Sequence, residues 1–120
     1  MEIDLDAAVG AHAQWKIKLR AAIDRKDQLD AVTIGKDNCC DLGKWMYGEG
    51  KQTMGTKPEF TALLEKHKIF HAEAGKVAVA VNSGKYTEAA NMISGSSTFG
   101  AASTSVGIAI GALKKVAWTK

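Results

Sequence analysis

Cysteine is nearly absent from this sequence: there are two in 120 residues, and they are neighbours, Cys39 and Cys40. Adjacent cysteines cannot staple distant segments, so a disulfide framework is excluded and the thiols point to metal or redox chemistry. Long apolar runs are lacking too. The longest near the C-terminus, Val106 to Leu113, falls far short of the roughly 20 residues needed to span a bilayer as a helix. The opening residues, Met1 to Asp6, have neither the positive n-region nor the apolar h-region of a secretory signal, so a cytoplasmic location is expected. No charge sign dominates: 16 basic and 13 acidic residues are interspersed to a net +3, which leaves no field to draw a polyanion. The densest basic cluster, Lys16, Lys18, Arg20, Arg25 and Lys26, is interrupted by Asp24 and Asp27 and reads as a solvated helix face, so nucleic acid is not an expected partner. Strand alternation and internal repeats are missing as well, which argues against a sheet.

What is present is amphipathic helix, in an amount that one domain of residues 1–120 can bury as a single core. Leu5, Ala8, His12, Trp15, Leu19 and Ala22 recur at steps of three and four, predicting a helix over Asp4–Asp27 capped by Asp4. Leu29–Lys36 holds poorer helix formers and is expected to be a connection. Asp37 or Asn38 then caps a short helix over Cys39–Tyr47, ended by Gly48 and Gly50. After a loop over Gly48–Gly55, Thr56-Lys57-Pro58-Glu59 combines a capping-box pattern with proline in a first turn. The helix it opens carries Phe60, Leu64, His67, His71, Ala74, Ala78 and Val81 on one stripe and ends at Asn82-Ser83-Gly84. A shorter helix over Tyr86–Ile93, a break at Ser94–Ser97 and a last helix bearing Phe99, Ala102, Val106, Leu113 and Val116 complete the chain. The expected fold is all-α, an antiparallel bundle of four main helices with an additional short helix.

All three histidines of the chain, His12, His67 and His71, fall on core-facing helical positions where leucine or alanine would ordinarily serve. A single histidine there is usually a hydrogen-bonded core residue; three together ask for another reason. His67 and His71 are four apart, so their rings leave one helix face a turn apart, at a spacing that lets them chelate one ion. His12 and Cys40 supply a third imidazole and a thiol from two other helices, completing a tetrahedral nitrogen and sulfur set that suits zinc. Placed in the core, Cys40 turns Cys39 about a hundred degrees away, into a packing role. Trp15 and Trp45 are expected to wall the site off from water, and Gly43 to let a neighbouring helix approach it. Four protein ligands leave no position for a reactive water, and no His-Glu-x-x-His motif is present, so an enzyme is not expected.

Three stretches, Ala11-His12-Ala13-Gln14-Trp15-Lys16, Cys40-Asp41-Leu42-Gly43-Lys44-Trp45 and His67-Lys68-Ile69-Phe70-His71, resemble in order and interval the signatures of the bacterial chemoreceptor zinc-binding domain family. The resemblance implies zinc ligation by His12, Cys40, His67 and His71. It also implies homodimers, a partnership with chemotaxis receptors or diguanylate cyclases, and sensing of zinc or of oxidants such as hypochlorous acid. The second thiol, Cys39, departs from many members of that family. A zinc-stabilised interaction module with no sensing role is the alternative.

Overall fold

A computed structural model describes residues 4–94 and 97–117, all helix and connection. Seven helices occur among the described residues: α1 (Leu5–Arg25), α2 (Ala31–Ile34), α3 (Asp41–Tyr47), α4 (Glu49–Met54), α5 (Pro58–Asn82), α6 (Tyr86–Met92) and α7 (Thr98–Ala117). None is long and apolar enough to cross a membrane. The all-helical expectation holds. Only α1, α5 and α7 are long, however, and the other four have seven residues or fewer, so an arrangement of four main helices is not established.

Local chemistry accounts for most of the boundaries. Asp4 accepts a hydrogen bond from the Ala7 N–H at 3.0 Å and so starts α1 as expected. The helix stops at Arg25 because Lys26 turns left-handed, with φ 58°, and returns its N–H to the carbonyls of Ala22 and Ile23. Pro58 stands in the first turn of α5, where its missing N–H is harmless, but Lys57 occupies the cap position and the expected capping box does not form. The segment expected to be a plain connection holds the single turn α2, capped by the Asp30 carboxylate on Thr33 N–H. The loop expected over Gly48–Gly55 holds α4. Of the break expected at Ser94–Ser97, residues 95–96 lie outside the described residues.

Helix α5 is the centre of the molecule. It buries Phe60, Leu63, Phe70, Ala74, Val77, Ala78 and Val81, a face wider than one stripe, because α1, α2, α6 and α7 all pack on it. A seam of three-and-four steps therefore captures only part of its core and omits Leu63, Phe70 and Val77. Helix α7 lays Phe99, Val106, Ile110 and Leu113 into the same core, and its last turn is tied to the start of α1 by Lys114 on Asp6.

The relative sense of α1 and α5 is that of the first and third helices of an up-and-down arrangement. His12 lies beside His67, and Leu29, just past α1, exchanges two hydrogen bonds of 2.7 Å with the side chain of Asn82, the last residue of α5. Similar lengths of helix, roughly 20 Å each, separate these points, so the two helices run alongside each other in the same direction. The segment carrying α2, α3 and α4 is the return path. Its first leg rests on α5 where Gly35 meets Gly75, and a Cβ on Gly75 would lie 2.9 Å from the Gly35 Cα.

Two substitutions of the same chemistry should consequently have opposite effects. Gly75→Ala forces this backbone contact apart and should destabilise by about 1–3 kcal/mol. Gly107→Ala, in α7, meets nothing within 4 Å and should stabilise by about 0.5–1 kcal/mol through helix propensity alone. Urea unfolding of both variants with metal held saturating reads the two signs.

Candidate metal centre

Each candidate ligand is delivered by a different local device. On α1, the Nδ1 of His12 lies 2.8 Å from the Ala8 carbonyl one turn earlier, which fixes the ring and turns Nε2 inward. On α5, the Nδ1 of His71 lies 3.0 Å from the Ile34 carbonyl at the end of α2. That reach depends on the close approach of Gly35 and Gly75, one turn beyond His71. His67 sits one turn before His71 and is fully buried. Cys40 is the N-cap of α3 rather than a residue inside its first turn, since the helix begins at Asp41. Its Sγ accepts from the Gly43 N–H at 3.4 Å.

Gly43 is required here for a reason other than the one expected. A Cβ at this position would lie 1.8 Å from the Asp37 carbonyl oxygen, so it is the preceding loop, not a neighbouring helix, that packs against the glycine. The Tyr47 hydroxyl donates to the Asp37 carboxylate and ties the same loop to the far end of α3. The loop holding Cys40 is thus clamped at both ends of the short helix.

These devices bring together all four predicted residues. One donor atom each from His12, Cys40, His67 and His71 lies within 4.8 Å of the others. Cys40 Sγ stands 4.0 Å from His12 Nε2, 3.2 Å from His67 Nε2 and 3.6 Å from His71 Nε2, and the Nε2 atoms of His12 and His67 are 3.0 Å apart. A tetrahedral zinc ion at normal bond lengths sets about 3.6 Å between sulfur and nitrogen and about 3.3 Å between nitrogens. Each of these four separations lies within about 0.4 Å of that spacing. For two of the three rings, His12 and His71, a backbone carbonyl stands on the far nitrogen, as is common around metal-bound histidine. The His67 Nδ1 is buried and meets no hydrogen-bond partner among the described residues.

The surroundings favour a cation over protons. Burial lowers the pKa of all three imidazoles; for His67, with the charges of His71 and His12 adding to it, the value falls to about 3. For His12 and His71 the carbonyl hydrogen bonds oppose burial without reversing it. Burial raises the Cys40 thiol, against the N–H groups of Gly43 and Leu42 at the helix start. The site therefore presents neutral rings and a protonated thiol at neutral pH, and a metal ion reverses the last of these by deprotonating the sulfur it binds.

The aromatic wall is only partly the expected one. Trp15 stands edge-on to His71 at 6.3 Å. Trp45 packs instead on Phe60 at 6.1 Å and over Gly50, and belongs to the core beside the loop. The residue overlooked in the sequence is Phe70, fully buried, with its ring 5.2 Å from His12 and 5.3 Å from His71. Its place three residues after His67 was the available signal. Cys39 is exposed, its thiol directed to the Asn38 side chain at 3.5 Å, and lies outside the cluster. Beside the cluster, a cleft of about 690 Å³ between α1 and the start of α3 reaches His12 and Cys40, with Trp15 and Leu42 in its walls and Asp4, Lys18 and Asp41 also lining it.

Loading the metal-free protein near neutral pH should release about one proton per ion, from the thiol, since the rings carry none to lose. A weakly buffered titration followed with an indicator measures this. Because the folded imidazole values lie below the unfolded 6.5, the unfolded chain binds more protons as acid is added. The stability of the metal-free protein should be full above about pH 6.5 and decline as pH falls from there toward about 3, as chelator-treated thermal melts would record.

Against known proteins, no curated sequence and no solved structure gives a match, whereas the family model described as chemoreceptor zinc-binding domain matches residues 12–78, more than half of the chain.

Proposed function

The chain belongs to the chemoreceptor zinc-binding domain family, and on that premise we propose that it is a zinc-dependent sensory domain of bacterial signal transduction. The observation that carries this reading is the convergence of three imidazoles and one thiol from α1, the loop before α3, and α5. Bound zinc supplies a crosslink between these segments, and Cys40 supplies its one oxidisable ligand.

An oxidant has a route to that sulfur. Cys40 lines the cleft beside α1, so a small neutral oxidant such as hypochlorous acid reaches it without unfolding the core. The thiolate is oxidised to sulfenic acid while the oxidant is reduced to chloride, and the product is a poorer metal ligand. Release of the crosslink frees the loop before α3 from α1 and α5. We assign the response to this loop and its two glycine contacts, and the readers of it to a chemotaxis receptor or a diguanylate cyclase in the cytoplasm, with the domain acting as a homodimer. The four protein donors fill a tetrahedral shell, which supports a sensor over an enzyme, because catalytic zinc keeps a position for water.

Protein purified without a histidine tag or added metal should carry about one zinc per chain, and Cys39→Ala should retain it. Removing a residue that only hydrogen-bonds a ligand weakens such sites about 10–100-fold, so Cys40→Ala should weaken binding by more. Elemental analysis and competition with a chromogenic chelator measure both. Hypochlorous acid should release zinc from wild type in proportion to Cys40 oxidation. Zinc retained while Cys40 is oxidised would favour a purely structural ion.

A further inference from the structure

The loop before α3 carries a second thiol that ligation leaves without a use. Cys39 directly precedes Cys40, and the pair are all the cysteines of the chain. Their sulfurs are placed differently. Cys40 Sγ turns inward, 3.2 Å from His67 Nε2 and 3.6 Å from His71 Nε2, whereas Cys39 is exposed with its thiol 3.5 Å from the Asn38 side-chain oxygen. Residues 37–39 lie outside any helix, and Cys40 joins α3 only as its cap, with extended φ −85° and ψ 164°. The backbone between the two thiols can therefore turn without unwinding α3. A sulfenic acid formed on Cys40 has two courses open to it: it condenses with a thiol to a disulfide, which is reversible, or it is oxidised onward to sulfinic acid, which is not. A thiol one residue away makes the first course intramolecular, ahead of any encounter with a second chain or a dissolved thiol.

We propose that Cys39 is the resolving thiol of this site: it condenses with oxidised Cys40 to a vicinal disulfide that holds the zinc-free state and spares Cys40 from irreversible oxidation. The inference rests on the zinc and oxidant reading above and adds the step that follows it. In the first step hypochlorous acid takes two electrons from the Cys40 thiolate, transfers its hydroxyl to the sulfur and leaves as chloride. In the second, the Cys39 sulfur attacks the Cys40 sulfur; an S–S bond forms, the S–O bond breaks, and the hydroxyl departs with the Cys39 thiol proton as water. Geometry sets the order. While Cys40 Sγ is held against three rings and Cys39 faces solvent, the sulfurs do not meet, so the disulfide follows metal release. Once it has formed, a sulfur tied to Cys39 no longer reaches the rings, and zinc stays out until the bond is reduced. The peptide between the two residues is trans, which sets their Cα atoms about 3.8 Å apart, below the range of about 4.4–6.8 Å usual for disulfides. The ring is accordingly strained and easily reduced, so an ordinary thiol reductant resets the site.

The test compares the zinc-loaded full chain with its Cys39→Ser variant, each given stepwise equivalents of hypochlorous acid and then dimedone, which captures sulfenic acid. Zinc release is followed with a chromogenic chelator. Mass spectrometry reads the tryptic peptide Asp37–Lys44, which holds both cysteines and neither methionine nor tryptophan, the other side chains this oxidant attacks. Both chains should release zinc. The wild-type peptide should then be two hydrogens lighter within a single chain, should take no dimedone, and should regain zinc binding after dithiothreitol. Cys39→Ser should instead be labelled by dimedone at Cys40 and, with further oxidant and no dimedone, should pass to sulfinic acid and lose zinc binding for good. Dimedone labelling as strong in wild type as in the variant, or a disulfide linking two chains on a non-reducing gel, overturns this proposal and leaves oxidant sensing intact. Zinc kept by both chains while Cys40 is oxidised overturns the sensing reading and this proposal with it.

Discussion

Three imidazoles and a thiol occupy the interior where α1, α5 and the loop before α3 meet, and apolar side chains would fill that space at less cost to the free chain. Burial lowers the proton affinity of every ring there, and the thiol is held in its neutral form. A divalent cation reverses the sign of these effects, since it replaces water for all four donors at once. Much of the rest of the structure serves to make the four atoms coincide. α5 is buried on several sides so that two turns of it can face inward with histidine, and α1 contributes a ring already oriented by its own backbone.

The contacts between this cluster and the outside of the molecule run through short elements. α2 touches α5 at Gly35 and Gly75, and from that contact the Ile34 carbonyl reaches His71. The loop from Asp37 to Cys40 is pressed onto α3 at Gly43 and tied to Tyr47. Few apolar side chains hold this region compared with the seam of α5 and α7, so its position depends on the cluster to a greater degree. That inequality places the least supported part of the cluster in the loop before α3, between α1 and α5.

Helix type, most boundaries and the four residues of the cluster are legible in the sequence, because each is written in local chemistry. Asp4 caps the helix after it, Pro58 opens another, and histidines at leucine positions mark themselves by being out of place. The misreadings share one cause. Cys40 caps α3 instead of lying within it, Thr56 does not cap α5, and α2 and α4 form where a loop was expected; in each case one or two residues of shift depend on neighbours outside the window. Trp45 lies away from the site it is expected to wall, and the overlooked Phe70 stands against it, because both satisfy an apolar pattern, and pattern does not say which neighbour a ring will meet.

What the sequence determined by itself is therefore the kind of structure and the chemistry it carries: amphipathic helices, three buried rings and one usable thiol. What only the tertiary structure decided is direction and contact. The parallel course of α1 and α5, the reason for Gly43, and the carbonyls that orient His12 and His71 but leave His67 unanchored all involve backbone atoms, which every residue type shares. Side-chain identity repeats with a helical period and can be read along the chain. The position of a carbonyl relative to a ring thirty-seven residues away is set by packing, and it becomes readable only when the chain has folded.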